Sequence, residues 1–122
     1  MEVIYAKKQL EKICTNKTEA KKYFGGSEQL AISLLSRINA LKASELKDII
    51  VQPQFYFHQL VNKNKRNLEG YFAINVKTRK DPWRIIVELL DENGECFVPC
   101  DIDKIVEYVR IVRIEEVSKH YE

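Results

Sequence analysis

Apolar positions along the chain change their spacing near Pro53. Before it, "KKQLEKICTNKTEAKKYFGG" spaces Leu10, Ile13 and Cys14 for one helical face, with a break expected at Thr15-Asn16 and Asn16 available to cap a second short piece. Gly25-Gly26 offers the left-handed backbone that ends a helix, and Ser27 can start the next. In "SEQLAISLLSRINALKA" Leu30, Leu34, Leu35, Ile38 and Leu41 recur at three- and four-residue steps, which predicts one core-facing stripe. Ser44 is placed to cap "SELKDII" before Pro53 stops any helical continuation.

After Pro53 the period becomes two. Tyr71, Ala73 and Asn75 alternate with Phe72, Ile74 and Val76; "WRIIVELL" is a second β-rich run, and "KTRKDP" joins the two as antiparallel neighbours. "DENG" has the residues of a tight turn into "ECFVPC". "VRIVRI" predicts a further strand, edge or central, whose preceding residues suit either strand or helix, and "EVIYA" is short and β-prone. The expected fold is α+β in one domain over residues 1–122, with N-terminal helices on one face of a small, mainly antiparallel, twisted sheet and the other face concave and open to solvent.

With 45% hydrophobic and 31% charged residues the composition is that of an ordinary soluble globular protein, and its length suffices for a core without a metal or disulfide staple. Cys14, Cys96 and Cys100 form no zinc-like spacing and are expected to be reduced. No secretory signal or membrane span is evident, so a cytoplasmic location and no membrane partner are expected.

Charge sharpens the picture. The net charge is only +2, yet from Val61 to Arg84 seven basic residues (Lys63, Lys65, Arg66, Lys77, Arg79, Lys80, Arg84) face two acidic ones, Glu69 and Asp81. From Ile85 to Lys104 the balance reverses. A surface that draws polyanions to one side fits this asymmetry, as does an ordinary solvated face on which charges fall in runs.

Three blocks in order carry a family resemblance: "FHQL" with its basic turn and "GYFAINV", then "PWRIIVEL", then "IEEVSKHYE". Together they resemble the RelE/ParE superfamily of toxins from type II toxin–antitoxin pairs, and within it the HigB-like plasmid maintenance killer group. The resemblance implies a RelE-like fold and a metal-independent endoribonuclease, without cofactor, that cuts mRNA on the ribosome. It also implies a helix-turn-helix, HigA-like antitoxin as partner, with operator DNA bound only through the antitoxin complex.

The residue types suit that chemistry. RNA carries its own nucleophile, the 2′-hydroxyl, so a protein need only remove that proton, stabilise the phosphorane and protonate the leaving 5′-oxygen. His58 and His120, the only histidines, are the acid–base candidates together with Tyr121, with the division of roles open. Arg84 is expected to meet the scissile phosphate with its guanidinium fork, assisted by Lys63 and Lys65. Arg66, Lys77, Arg79 and Lys80 are expected to hold the RNA backbone or face ribosomal RNA, and Trp83 or Tyr71 to stack on a base unless core packing claims them. The sequence departs from the family pattern in a longer turn after His58, in Asn75 and in Lys119. A ParE-like gyrase-binding toxin without nuclease chemistry, or a non-enzymatic RNA- or antitoxin-binding module, are the competing expectations.

Overall fold

The computed structural model describes residues 1–62 and 67–121. Among them are strands β1 (Glu2–Tyr5), β2 (His58–Gln59), β3 (Tyr71–Asn75), β4 (Arg84–Leu90) and β5 (Ile111–Ser118), and helices α1 (Lys8–Thr15), α2 (Lys17–Tyr23), α3 (Glu28–Ala43), α4 (Leu46–Ile50) and α5 (Ile102–Ile105). The protein is α+β. Its mixed, unclosed sheet has the order β1-β5-β4-β3-β2, antiparallel except where β1 runs parallel to β5.

The helical punctuation follows the local chemistry. Asn16 breaks α1 from α2 and its side chain accepts from Glu19 N at 3.1 Å; Ser27 caps α3 by accepting from Leu30 N at 3.2 Å. Gly25 and Gly26 both have positive φ, as the helix end requires. On α3 the buried stripe is Ala31, Leu34, Ile38 and Leu41, with Leu30 and Leu35 at its margin. Glu45 rather than Ser44 precedes α4, and no side chain caps it.

These helices cover one sheet face. Phe72 and Ile74 from β3, Ile85, Val87 and Leu89 from β4, and Val112, Ile114 and Val117 from β5 point into that core. The last strand is central, gripped by β1 and β4, and its preceding segment is a short helix and turn before the alternation begins. "ECFVPC" forms no named strand and contributes only a single bridge, Leu90 to Cys96.

The second face is not bare, and Asn75, Arg84 and Ser118 at one end of it are buried. Its middle, Ala73 and Ile86, packs with Leu60 and Leu68 in a small separate core that Tyr71 and Tyr121 flank. The expected concave, solvent-exposed sheet surface is therefore partly roofed. Ala73 and Ile86 are apolar where a bare face would carry polar groups, and the chain on either side folds back to cover them.

Cys14 and Tyr5 link this architecture to pH. Burial pushes the Cys14 thiol up to about 12, opposed only by Lys42, and burial with the neighbouring Cys14 and Glu11 pushes the Tyr5 phenol up to about 12. Both groups are held neutral by the fold. Their contribution is complete below the ordinary values of 9.0 and 10.0 and is lost as pH rises toward about 12. The urea midpoint is expected to fall steadily above about pH 9, and Cys14→Val to flatten the first part of that decline; an identical slope in the variant would remove Cys14 from the account.

Candidate functional site

The antiparallel register aligns the chemistry-bearing residues in neighbouring rows across the second face. His58 pairs with Ala73, Ala73 with Ile86 and Ile86 with Glu116, so these four form a single row across β2, β3, β4 and β5. One row further toward the sheet end lie Asn75, Arg84 and Ser118. Tyr56 shortly precedes His58 in the chain.

A bulge shapes the acidic side of this row. The β4–β5 register slips between Ile86 and Val87, leaving Glu115 as the extra residue. Two consecutive carboxylates then serve the same face. Glu116 accepts from the Tyr121 hydroxyl at 2.6 Å, while Glu115 pairs with Arg113 Nε at 2.6 Å. Arg113 Nη2 also meets Glu88 at 2.6 Å, and the hydrogen bond to Glu115 is the main reason its guanidinium is held above its ordinary range. The Cys96 thiol donates to the same Glu88 oxygen at 2.7 Å, which pushes that thiol up.

The basic side is built around Arg84. Its side chain is only 3% exposed, and it faces inward under the loop that precedes β4. Nη1 donates to the carbonyls of Asp81 and, at 2.9 Å, Trp83; Nη2 donates to that of Arg79 at 2.9 Å. Thr78 Oγ1 accepts from Asp81 N and Asp81 Oδ1 from Trp83 N, which completes a loop folded on one guanidinium. The fork expected to meet a phosphate is thus engaged by three backbone oxygens. An arginine at the first position of a strand lies directly beneath the turn that leads into it, and unpaired carbonyls there recruit its five donors.

Arg79, whose carbonyl Arg84 holds, is exposed and sends its guanidinium over the Tyr56 ring at 4.3 Å. Its Nη2 also reaches the Tyr56 hydroxyl at 3.4 Å. Arg84 lies 6.0 Å from the same ring. The His58 imidazole also lies against Tyr56, 4.3 Å away at an interplanar angle of 37°, and its Nδ1 lies 2.7 Å from the Tyr56 carbonyl. Tyr56, His58, Arg79 and Arg84 therefore form one connected cluster.

The chain's last described residues follow β5. His120 is exposed, and its backbone N–H donates to Ser118 Oγ at 3.1 Å, opposite Arg84 in the register. Tyr121 turns back so that its ring packs on the Ala73–Ile86 core and its hydroxyl reaches Glu116. His58, Arg84 and the His120-Tyr121 pair are thus on one side of the molecule.

Other expected residues lie elsewhere. Trp83 packs toward the helices, 4.9 Å from Phe24 and 5.7 Å from Tyr23, with Lys119 Nζ 5.7 Å from its ring. Trp83 is half-buried against the main core. Lys77 is tied to the helical layer, donating to Gln29 Oε1 at 2.7 Å. Lys80 is exposed beside Arg79. Lys63, Lys65 and Arg66 lie outside the described residues.

Tyr56 and Glu116 are the residues that sequence reasoning passed over. Glu116 had a signal, since it stands within the C-terminal block that ends in His120-Tyr121. Tyr56 had none: its importance comes from a left-handed backbone, φ 48° and ψ 47°, that no local pattern announces. Among the described residues no group of three or more His, Cys, Asp or Glu is arranged to hold a metal ion, and no helix is long and apolar enough to cross a membrane. The three cysteines are free.

No protein-family profile matches the chain, and neither does any curated protein or solved structure.

Proposed function

We propose that the protein is a RelE-like, HigB-type toxin: a ribonuclease that cuts mRNA by attack of the 2′-hydroxyl on the adjacent phosphate. The observation that carries this reading is that the Glu116-held Tyr121 packs on the Ala73–Ile86 patch with which His58 pairs, while Arg79 covers the Tyr56 ring beside His58 and His120 follows Ser118, opposite Arg84.

In this reading His58 takes the proton of the 2′-hydroxyl. The O2′–P bond forms, the P–O5′ bond breaks, and the 5′-oxygen receives a proton from the C-terminal pair, His120 or Tyr121. Arg79 replaces Arg84 as the cation that meets the non-bridging oxygens, because its guanidinium is exposed and pre-oriented on an aromatic ring. Arg84 acts through Arg79, as the post that holds the loop. RNA supplies the nucleophile, so the scheme calls for no cofactor. The reading brings with it a helix-turn-helix antitoxin as partner, the ribosome as the place of action and the cytoplasm as location.

Purified protein added to a translating extract is expected to leave cut messages, and His58→Gln or Arg79→Ala to leave them whole. Intact messages with the wild-type protein, together with inhibited supercoiling by gyrase, would replace this reading with a ParE-like one. A reading frame for a short helix-turn-helix protein beside this one would support the toxin assignment independently.

A further inference from the structure

Tyr56 has a combination of features that packing alone does not require. It is a bulky residue at φ 48°, the only non-glycine residue with positive φ among those described, and such a conformation costs on the order of 1 kcal/mol. The surrounding segment fixes it from several sides. Its N–H closes a single 3-10 turn onto the Pro53 carbonyl at 3.1 Å, and Phe55 beside it is 3% exposed. The Gln54 carbonyl accepts from Arg37 Nη2 at 3.2 Å and from Asn75 Nδ2 at 3.3 Å. Arg37 in turn binds the carbonyls of Asn75 and Lys77, tying this segment to β3 and the basic loop.

The result is that one carbonyl oxygen is aimed at one imidazole nitrogen. A backbone carbonyl only accepts, so the 2.7 Å contact with Nδ1 requires that Nδ1 carry the hydrogen. Neutral His58 then has its lone pair on Nε2. We infer that Tyr56 is a positioning residue which, through its left-handed backbone, holds His58 as the Nδ1–H tautomer and makes Nε2 the proton-accepting nitrogen. The ring of Tyr56 limits the tilt of the imidazole by lying against it, while Arg79 covers that same ring. The catalytic meaning of this tautomer rests on the ribonuclease reading; the tautomer itself does not.

The test separates the two. Protein labelled with nitrogen-15 at histidine, observed by long-range proton–nitrogen correlation at about pH 8.5, where an ordinary imidazole is neutral, reports which ring nitrogen is protonated. With only two histidines, His120→Gln assigns the signals. His58 is expected to show a hydrogen on Nδ1 and none on Nε2. A protonated Nε2, or a rapidly exchanging mixture of both forms, overturns the inference even if the protein cuts RNA. Tyr56→Asn, which tolerates the left-handed backbone, is expected to keep the tautomer; Tyr56→Val, whose branched side chain does not, is expected to lose it and to lower kcat about tenfold or more with little change in KM. An unchanged tautomer in folded Tyr56→Val removes the positioning role. The expected tautomer and its response to Tyr56→Val in a protein that cleaves nothing would sustain this inference while the ribonuclease reading fails.

Discussion

Replacing Arg84 with alanine is expected to destabilise the protein by about 2–4 kcal/mol, as well as removing the proposed RNA cleavage. The guanidinium binds three carbonyls of one loop while almost entirely buried, so truncation deprives three acceptors of their donor and leaves a void under the turn. The upper end applies if the loop stays closed and dry, the lower end if it opens to water. Arg84→Lys keeps the charge but supplies a point donor in place of a planar fork, and is expected to recover less than half of the loss. Urea midpoints for the three proteins check this. A variant as stable as wild type but inactive would return Arg84 to direct phosphate contact, because a residue that only meets substrate has no reason to support the fold.

Phe72→Ala is expected to cost about 3–5 kcal/mol, a large part of the roughly 5–15 kcal/mol that a domain of this kind possesses. Phe72 is 1% exposed in β3 and stacks on Phe57 at 5.0 Å with an interplanar angle of 16°. β2 is only two residues long, so this stack anchors the strand that carries His58. Truncation should therefore loosen the site along with the core. Amide exchange provides the check: protection at Gln59 and Leu60 is expected to fall more than protection in β5, and equal losses in both would mean that the stack does not secure β2 in particular.

The contrast between these residues shows what a sequence can and cannot disclose. Phe72 was legible as a core residue because strand alternation is local, and the caps Asn16 and Ser27 were legible because a capping side chain acts within three residues. That Tyr121 packs on the same Ala73 with which His58 pairs follows from no local pattern. The inward turn of Arg84 was not legible either. An arginine at a strand start reads the same whether its donors face solvent or the preceding loop, and the choice depends on carbonyls from Arg79, Asp81 and Trp83 that no residue type announces. The roof over Ala73 and Ile86 escaped for a similar reason: an apolar position on the second face shows that something covers it, but not what.

The parallel pairing of β1 with β5, from Glu2–Ile111 to Tyr5–Ile114, joins the most widely separated strands in the sheet, whereas α1, α2 and α3 also pack on one another. Contacts so far apart along the chain are the slowest to form, since loop closure must precede any gain from them. The helical half can assemble while the sheet is still unclosed, but the arrangement of Glu116, Ser118 and Tyr121 depends on β5 being threaded between its two neighbours. Whatever chemistry these residues perform, it requires β5 to be seated between β1 and β4.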